Sequence, residues 1–108
     1  MVIQFRSDCK YAVLEEPSTL KVLSYSDFLS YTKDVQFNLD SPMVIRDGEM
    51  IFKGNRLNEK TIWVYPIAPK RFDNNYIVFY KVEDNFSFFY ADNEMDIPSD
   101  DNVLVARI

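Results

Sequence analysis

Two strand-like runs in the last third of the chain, residues 76–82 and 86–90, constrain the fold most. Both are rich in aromatic and β-branched side chains, which are typical of β-strands. Three polar residues, from Glu83 to Asn85, separate them, and asparagine tolerates the left-handed backbone that such a hairpin turn needs. The segment therefore predicts an antiparallel hairpin with a three-residue connection.

The pairing of this hairpin decides which side chains share a face. If Val82 lies opposite Phe86, then Ile77, Phe79 and Phe89 fall on one face, which we treat as a candidate aromatic binding face. The other face is also apolar, so the hairpin is expected to lie centrally in a sheet and to be covered twice. We expect the remaining strands to fold over the second face, with a second copy of the chain or a partner protein as the alternatives.

One amphipathic helix is predicted over residues 24–35. Ser24, followed three residues later by Asp27, resembles a capping box with Asp in place of Glu. Apolar side chains then recur at helical spacing, and Tyr25, Phe28 and Leu29 are expected to pack on the sheet. A helix of about three turns is marginal alone, so it needs this docking to persist.

Further strands are predicted from short apolar runs bounded by turn residues. Asp47-Gly48 between apolar runs indicates a two-residue turn in a hairpin over residues 43–52. Gly54-Asn55 is expected to turn the chain again, and Pro66 is expected to end the next strand. The other predicted strands cover residues 2–5, 10–14, 61–65 and 103–108, whereas residues 20–23 favour no single assignment. The sum is an α+β fold: one domain over residues 1–108, with a mostly antiparallel sheet of five to seven strands and the helix packed on it.

The charge is concentrated in the last third of the chain. The net charge is −5, and residues 75–108 hold seven acidic and only two basic side chains, so the whole excess lies there. Such a distribution repels nucleic acid and anionic membranes and attracts basic surfaces. The candidate binding residues are the seven carboxylates: Glu83, Asp84, Asp92, Glu94, Asp96, Asp100 and Asp101.

Alternation of Asp92, Glu94 and Asp96 would place three carboxylates along one side of an extended segment. This spacing matches only the opening of a calcium loop. No glycine supplies the sharp turn, and Val103, twelfth from Asp92, cannot bind a metal. We therefore expect no metal and no cofactor, and treat the stretch as a negatively charged docking edge, with a solvated acidic loop as the alternative.

The composition disfavours an enzyme. The chain has no histidine, which is the commonest general base, and its two isolated glycines cannot build a phosphate-binding loop. Cys9 next to Lys10 and near Arg6 is the best nucleophile on offer, but a buried small hydrophobe is the stronger interpretation. A single cysteine also agrees with a reducing compartment.

Two nucleic-acid interpretations are weaker than structural ones. Aromatic side chains on a sheet can stack single-stranded bases, but such surfaces need basic surroundings, and here the neighbourhood is acidic. Arg56, Lys60, Lys70 and Arg71 form a scattered basic group that is more typical of a solvated loop.

We therefore expect a small acidic protein-binding module without catalysis, whose partner is a protein, with a basic surface as one option. It contacts neither nucleic acid nor membrane, and it is a monomer or homodimer. The bias towards Asn, Ile, Lys, Phe and Tyr favours a phage or mobile-element inhibitor of a host protein, such as a nucleic-acid-binding enzyme. The alternatives are an assembly subunit of a phage or cellular complex and an immunity or antitoxin protein. The first residues lack the succession of basic, apolar and small residues that forms a signal peptide, so we expect a cytoplasmic location. For a phage-encoded chain this would be the host cytoplasm.

Overall fold

The computed structural model describes residues 5–15, 19–38, 43–44, 50–83 and 85–108. These residues form nine strands, one α-helix and two short 3₁₀ turns. The elements are β1 (Lys10–Glu15), β2 (Thr19–Leu23), α1 (Tyr25–Tyr31), β3 (Val35–Phe37), β4 (Met43–Val44), β5 (Met50–Arg56), β6 (Thr61–Ile67), β7 (Tyr76–Val82), β8 (Asn85–Ala91) and β9 (Val103–Arg107), with 3₁₀ turns at Pro69–Arg71 and Glu94–Asp96. The predicted α+β class is confirmed, but the strands form two antiparallel sheets where one was expected.

The first sheet has the order β2-β1-β6-β5-β3, and β4 pairs with β5. At its centre β1 pairs with β6, with Val13 opposite Val64 and Leu14 opposite Trp63. Both strands are buried on both faces, because successive side chains alternate between two separate core clusters. This pair, and not the hairpin of residues 76–90, is the doubly covered centre of the fold.

The second sheet has the order β8-β7-β9 and packs on one face of the first sheet. Its inner face meets β6 through aromatic contacts: Tyr65 lies 4.3 Å from Phe88 and Trp63 lies 5.4 Å from Phe86, measured between ring centroids. The opposite face of the first sheet carries α1, which is attached through Phe28. The molecule thus has three layers: helix, first sheet and second sheet.

The hairpin of β7 and β8 was predicted correctly, but its register was wrong by one residue. Val82 lies opposite Asn85, not Phe86, so Phe79 lies opposite Phe88 and Val78 opposite Phe89. A one-residue slip changes which side chains share a face. The left-handed backbone also falls earlier than expected, at Glu83, whose φ is 56°.

The chain itself covers the inner face of the second sheet and only part of its outer face. Its inner face lies on the first sheet, and the segment of residues 92–102 crosses from β8 over β7 to reach β9. Val78 lies on the outer face and is nevertheless fully buried, which agrees with cover by this crossing segment.

The helix begins as predicted and ends earlier. The Ser24 side chain accepts a hydrogen bond from the backbone N–H of Asp27 at 3.3 Å, as an N-cap should. The helix stops at Tyr31, and Val35 already belongs to β3. Phe28 is fully buried, whereas Leu29 is 44% exposed, so the expected packing of Leu29 was wrong.

Two turn predictions fail for identifiable reasons, and the register of one predicted strand pair is shifted. Gly54 lies inside β5, where a Cβ atom would come within 2.7 Å of Val35 Cγ1, so the glycine provides room for β3 and not a turn. Pro66 lies within β6, beyond the residues that pair with β5, and does not end the strand. The β4–β5 hairpin exists, but Val44 pairs with Met50, one residue away from the predicted register. The Asp47-Gly48 turn and residues 2–4 of the strand predicted over residues 2–5 lie outside the described residues, and Phe5, which is described, belongs to no strand.

Candidate functional site

The carboxylates of the last third divide into two clusters at opposite ends of the second sheet. The first acidic cluster, Asp92, Glu94 and Asp96, follows the end of β8. Here the side-chain amide of Asn74 donates to Asp92 Oδ1 at 3.0 Å, and the Tyr76 hydroxyl donates to Glu94 Oε1 at 3.3 Å. The cluster is therefore fixed at the end of the sheet where β7 begins.

The second acidic cluster, Glu83, Asp100 and Asp101, lies at the other end. Asp100 and Asp101 precede Val103, which lies opposite Tyr80, and Glu83 follows the end of β7 at this same end. Tyr76 and Tyr80, which mark these two ends of β7, are four residue steps apart, a spacing of about 13 Å at about 3.3 Å per residue. The seventh candidate, Asp84, lies outside the described residues.

This arrangement differs from the single edge that the sequence suggested. Glu94–Asp96 is a 3₁₀ turn, so the three carboxylates of the first acidic cluster do not line one side of an extended strand. The carboxylate-bearing residues of both clusters are exposed to solvent. The outer face of the second sheet is therefore flanked by negative charge at both ends.

A groove of about 580 Å³ lies on this outer face, next to the second acidic cluster. Its floor includes Tyr80 from β7 and Phe89 from β8, both half-buried, with ring centroids 6.1 Å apart. The crossing segment and the start of β9 supply the rest. The lining residues are Tyr80, Lys81, Phe89, Pro98, Asp100, Asn102 and Val103.

The strands of the second sheet carry two basic side chains, Lys81 and Arg107. Lys81 contributes to the groove lining, but its Nζ lies 5.9 Å from the ring centroid of Phe86, on the core-facing side of the sheet. Arg107 lies opposite Tyr76 and is exposed near the first acidic cluster. Each end of the outer face therefore has three described carboxylates and one cation nearby.

The predicted aromatic face does not exist as a unit. Ile77 and Phe79 lie on the inner face and are buried in the core, whereas Phe89 lies on the outer face beside the groove. The one-residue register error is the cause. Of the lining residues, Phe89 and Asp100 were predicted as candidate binding residues, whereas Tyr80, Pro98 and Asn102 were not. The only sequence signal for the last two was Ile97-Pro98, which interrupts the acidic stretch.

The scattered basic residues do not combine into one patch. Arg56 stacks on the ring of Tyr31 at 4.0 Å, on the helix side of the first sheet, and its Nη1 lies 3.7 Å from Glu15 Oε1. Arg71 stacks on Tyr90 at 4.7 Å, on the opposite side. Each guanidinium thus has its own aromatic partner within the fold.

Cys9 is buried in the core cluster on the helix side, as the interpretation of a small hydrophobe predicted. Burial raises the pKa of its thiol, and the nearby Arg6 opposes this without reversing it. A raised pKa reduces the fraction of the reactive thiolate at neutral pH, so this position does not favour a nucleophile.

The described ranges contain no helix that is long and apolar enough to cross a membrane. In the same ranges, no three Cys, Asp or Glu side chains are grouped closely enough to hold a metal ion. Comparison of the chain with protein-family models, with curated proteins and with solved structures returned no match in any of the three.

Proposed function

We propose that this chain is a small, non-catalytic protein-binding module that covers a basic surface of a partner protein. The observation that carries the proposal is the outer face of the second sheet, where a groove with an aromatic floor lies beside one acidic cluster and a second cluster flanks the far end. Protein interfaces combine apolar anchors with a charged rim in this way.

The charge argues for a basic partner. Like charges gathered on one surface disfavour the compact state, so their concentration here is better explained by an external interaction than by stability. Opposite charge on the partner would speed association, and the effect would weaken as salt rises. An inhibitor that occupies the phosphate-binding surface of a nucleic-acid-binding protein fits this chemistry, and a phage or mobile-element origin fits the amino-acid bias.

Selection from a random peptide library on the immobilised protein tests the proposal, and it does not require the partner to be identified first. We expect enrichment of peptides rich in Arg and Lys, and slower association of the best peptide with a variant in which Asp92→Asn, Glu94→Gln and Asp96→Asn neutralise the first acidic cluster. This variant should fold at least as stably as the wild type, because repulsion is removed.

A matched control separates local charge from net charge. Asp27→Asn, Asp34→Asn and Glu59→Gln remove three exposed carboxylates from the first two-thirds of the chain. This control should keep most of the association rate at low salt. Equal slowing in both variants, or enrichment of peptides without excess positive charge, would contradict binding through the outer face.

A further inference from the structure

The groove on the outer face offers two aromatic rings and a carboxylate at the same place. Tyr80 and Phe89 lie on neighbouring strands, with their rings inclined at 53°. Asp100 lines the same groove, and its Oδ1 accepts the backbone N–H of Asn102 at 3.0 Å. Among the described residues nothing donates to Asp100 Oδ2, so this oxygen is available to a ligand.

Lys81 is the one Lys or Arg among the described residues that line the groove. The ammonium of Lys81 lies against Phe86 on the core-facing side, so the positive charge nearest in sequence is directed away from Tyr80 and Phe89. A cation that entered the groove would meet the negative faces of two aromatic rings together with a carboxylate. An apolar side chain would offer no donor to Asp100 Oδ2.

We infer that this groove takes an arginine side chain of the basic partner, stacked on Tyr80 or Phe89 and paired with Asp100. The inference rests on the proposed function and names the anchor through which it acts. A planar guanidinium suits the site better than an ammonium, because it stacks on rings and binds a carboxylate through two N–H groups.

The same combination of groups already holds arginine inside this protein. Arg56 stacks on Tyr31 at 4.0 Å while its Nη1 lies 3.7 Å from Glu15 Oε1. The outer groove reproduces the ring and the carboxylate of that arrangement without the arginine. Its volume of about 580 Å³ leaves room for the side chain and for part of its neighbours.

The experiment titrates the protein with N-acetyl-arginine methylamide and follows backbone and aromatic resonances by NMR. The isosteric, neutral citrulline derivative is the control. Arginine should give saturable shifts at Phe89, Asp100 and Asn102, and citrulline should bind about fivefold more weakly, because it loses one exposed ion pair and the cation–π contact. Equal effects of the two probes, or shifts confined to the first acidic cluster, would overturn the assignment.

Variants locate the contact. Asp100→Asn should weaken arginine binding about fivefold, whereas the neighbouring Asp101→Asn, which lies outside the groove lining, should change it less than twofold. Phe89→Leu should weaken binding about threefold through loss of one ring. Equal effects of Asp100→Asn and Asp101→Asn would show that only the general negative field matters.

The outcomes also separate this inference from the proposed function. In one outcome, the selected basic peptides bind more weakly when the acidic clusters are neutralised, but they bind the Asp100→Asn and Phe89→Leu variants as tightly as the wild type. The protein-binding role then stands, and the arginine anchor is wrong. If arginine binds the groove but no basic peptide is selected, the groove assignment stands and the proposed function fails.

Discussion

Replacement of Phe28 by alanine tests the attachment of the helix, which depends on a single fully buried side chain. Phe28 stacks on Tyr11 with ring centroids 4.2 Å apart and meets the edge of Phe5 at 4.9 Å. The helix has only seven residues, and none of its other side chains is fully buried. Removal of the ring therefore removes both the main apolar contact of the helix and two aromatic pairings.

The expected loss is about 3–5 kcal/mol of unfolding free energy, because phenylalanine-to-alanine changes in well-packed cores fall in this range. Domains of this size are stable by only about 5–15 kcal/mol, so the variant should be close to the limit of folding. With a urea dependence of about 1–3 kcal/mol per molar, the midpoint should fall by about 2 M. Circular dichroism and the fluorescence of Trp63, the only tryptophan, report the transition.

Leu29→Ala is the control, since it truncates an apolar side chain one residue further along the same helix. Leu29 is 44% exposed, and the change should cost less than about 1 kcal/mol, as for most surface substitutions. If Phe28→Ala shifts the urea midpoint no more than Leu29→Ala does, the packing of the helix on the first sheet is wrong.

Two further predictions concern the cores of the first sheet. Gly54→Ala should lower the unfolding free energy by about 1–3 kcal/mol, because the added methyl group overpacks against Val35 Cγ1. In urea titrations, the Gly54→Ala/Val35→Ala double variant should lose less unfolding free energy than the sum of the losses of the two single variants. Because burial raises the folded-state pKa of Cys9 above 9.0, the protonated thiol contributes stability below that pH, and the contribution is lost as pH rises through the folded pKa. The unfolding free energy of the wild type minus that of Cys9→Ala should therefore shrink above pH 9.0, and a constant difference would contradict the burial of the thiol.

Local signals in the sequence predicted where the helix begins but not where it ends. The capping pair Ser24 and Asp27 located the start of the helix, because an N-cap is decided by neighbouring residues alone. Helical spacing extended the same helix to Val35, which instead pairs with Arg56 in the first sheet. Tertiary pairing thus overrode a periodicity that only a few residues supported.

The hairpin register was the most consequential error. Placing the turn at three residues or two changes the face of every side chain that follows, and both versions of β7 and β8 have apolar faces on both sides. Composition could not choose between them. The choice moved Phe89 from a face shared with Ile77 and Phe79 to the opposite, outer face.

The continuous apolar runs of β1 and β6 held a clearer sign of the doubly buried centre. Residues 11–14 and 62–65 are apolar without alternation, which is typical of strands covered on both faces. The higher aromatic content of residues 76–90 led to the prediction that β7 and β8, and not β1 and β6, form the doubly covered centre of the sheet. Aromatic side chains indicate a large buried area, but they do not indicate how many faces are buried.

The groove could not be foreseen because it depends on strand order rather than on any local segment. With β7 between β8 and β9, the connection that leaves β8 must cross β7 before β9 can pair, and it carries Pro98 and Asp100 over the outer face. That crossing brings Asp100 into one groove with Phe89, which neither its sequence neighbours nor the charge count suggested. The first acidic cluster precedes the crossing of the outer face, whereas Asp100 and Asp101 follow it, so the two clusters lie towards opposite ends of the strands. Under the proposed function, a basic partner must therefore place positive charge at two points and not along one edge, and the inferred arginine anchor belongs to the point beside the groove.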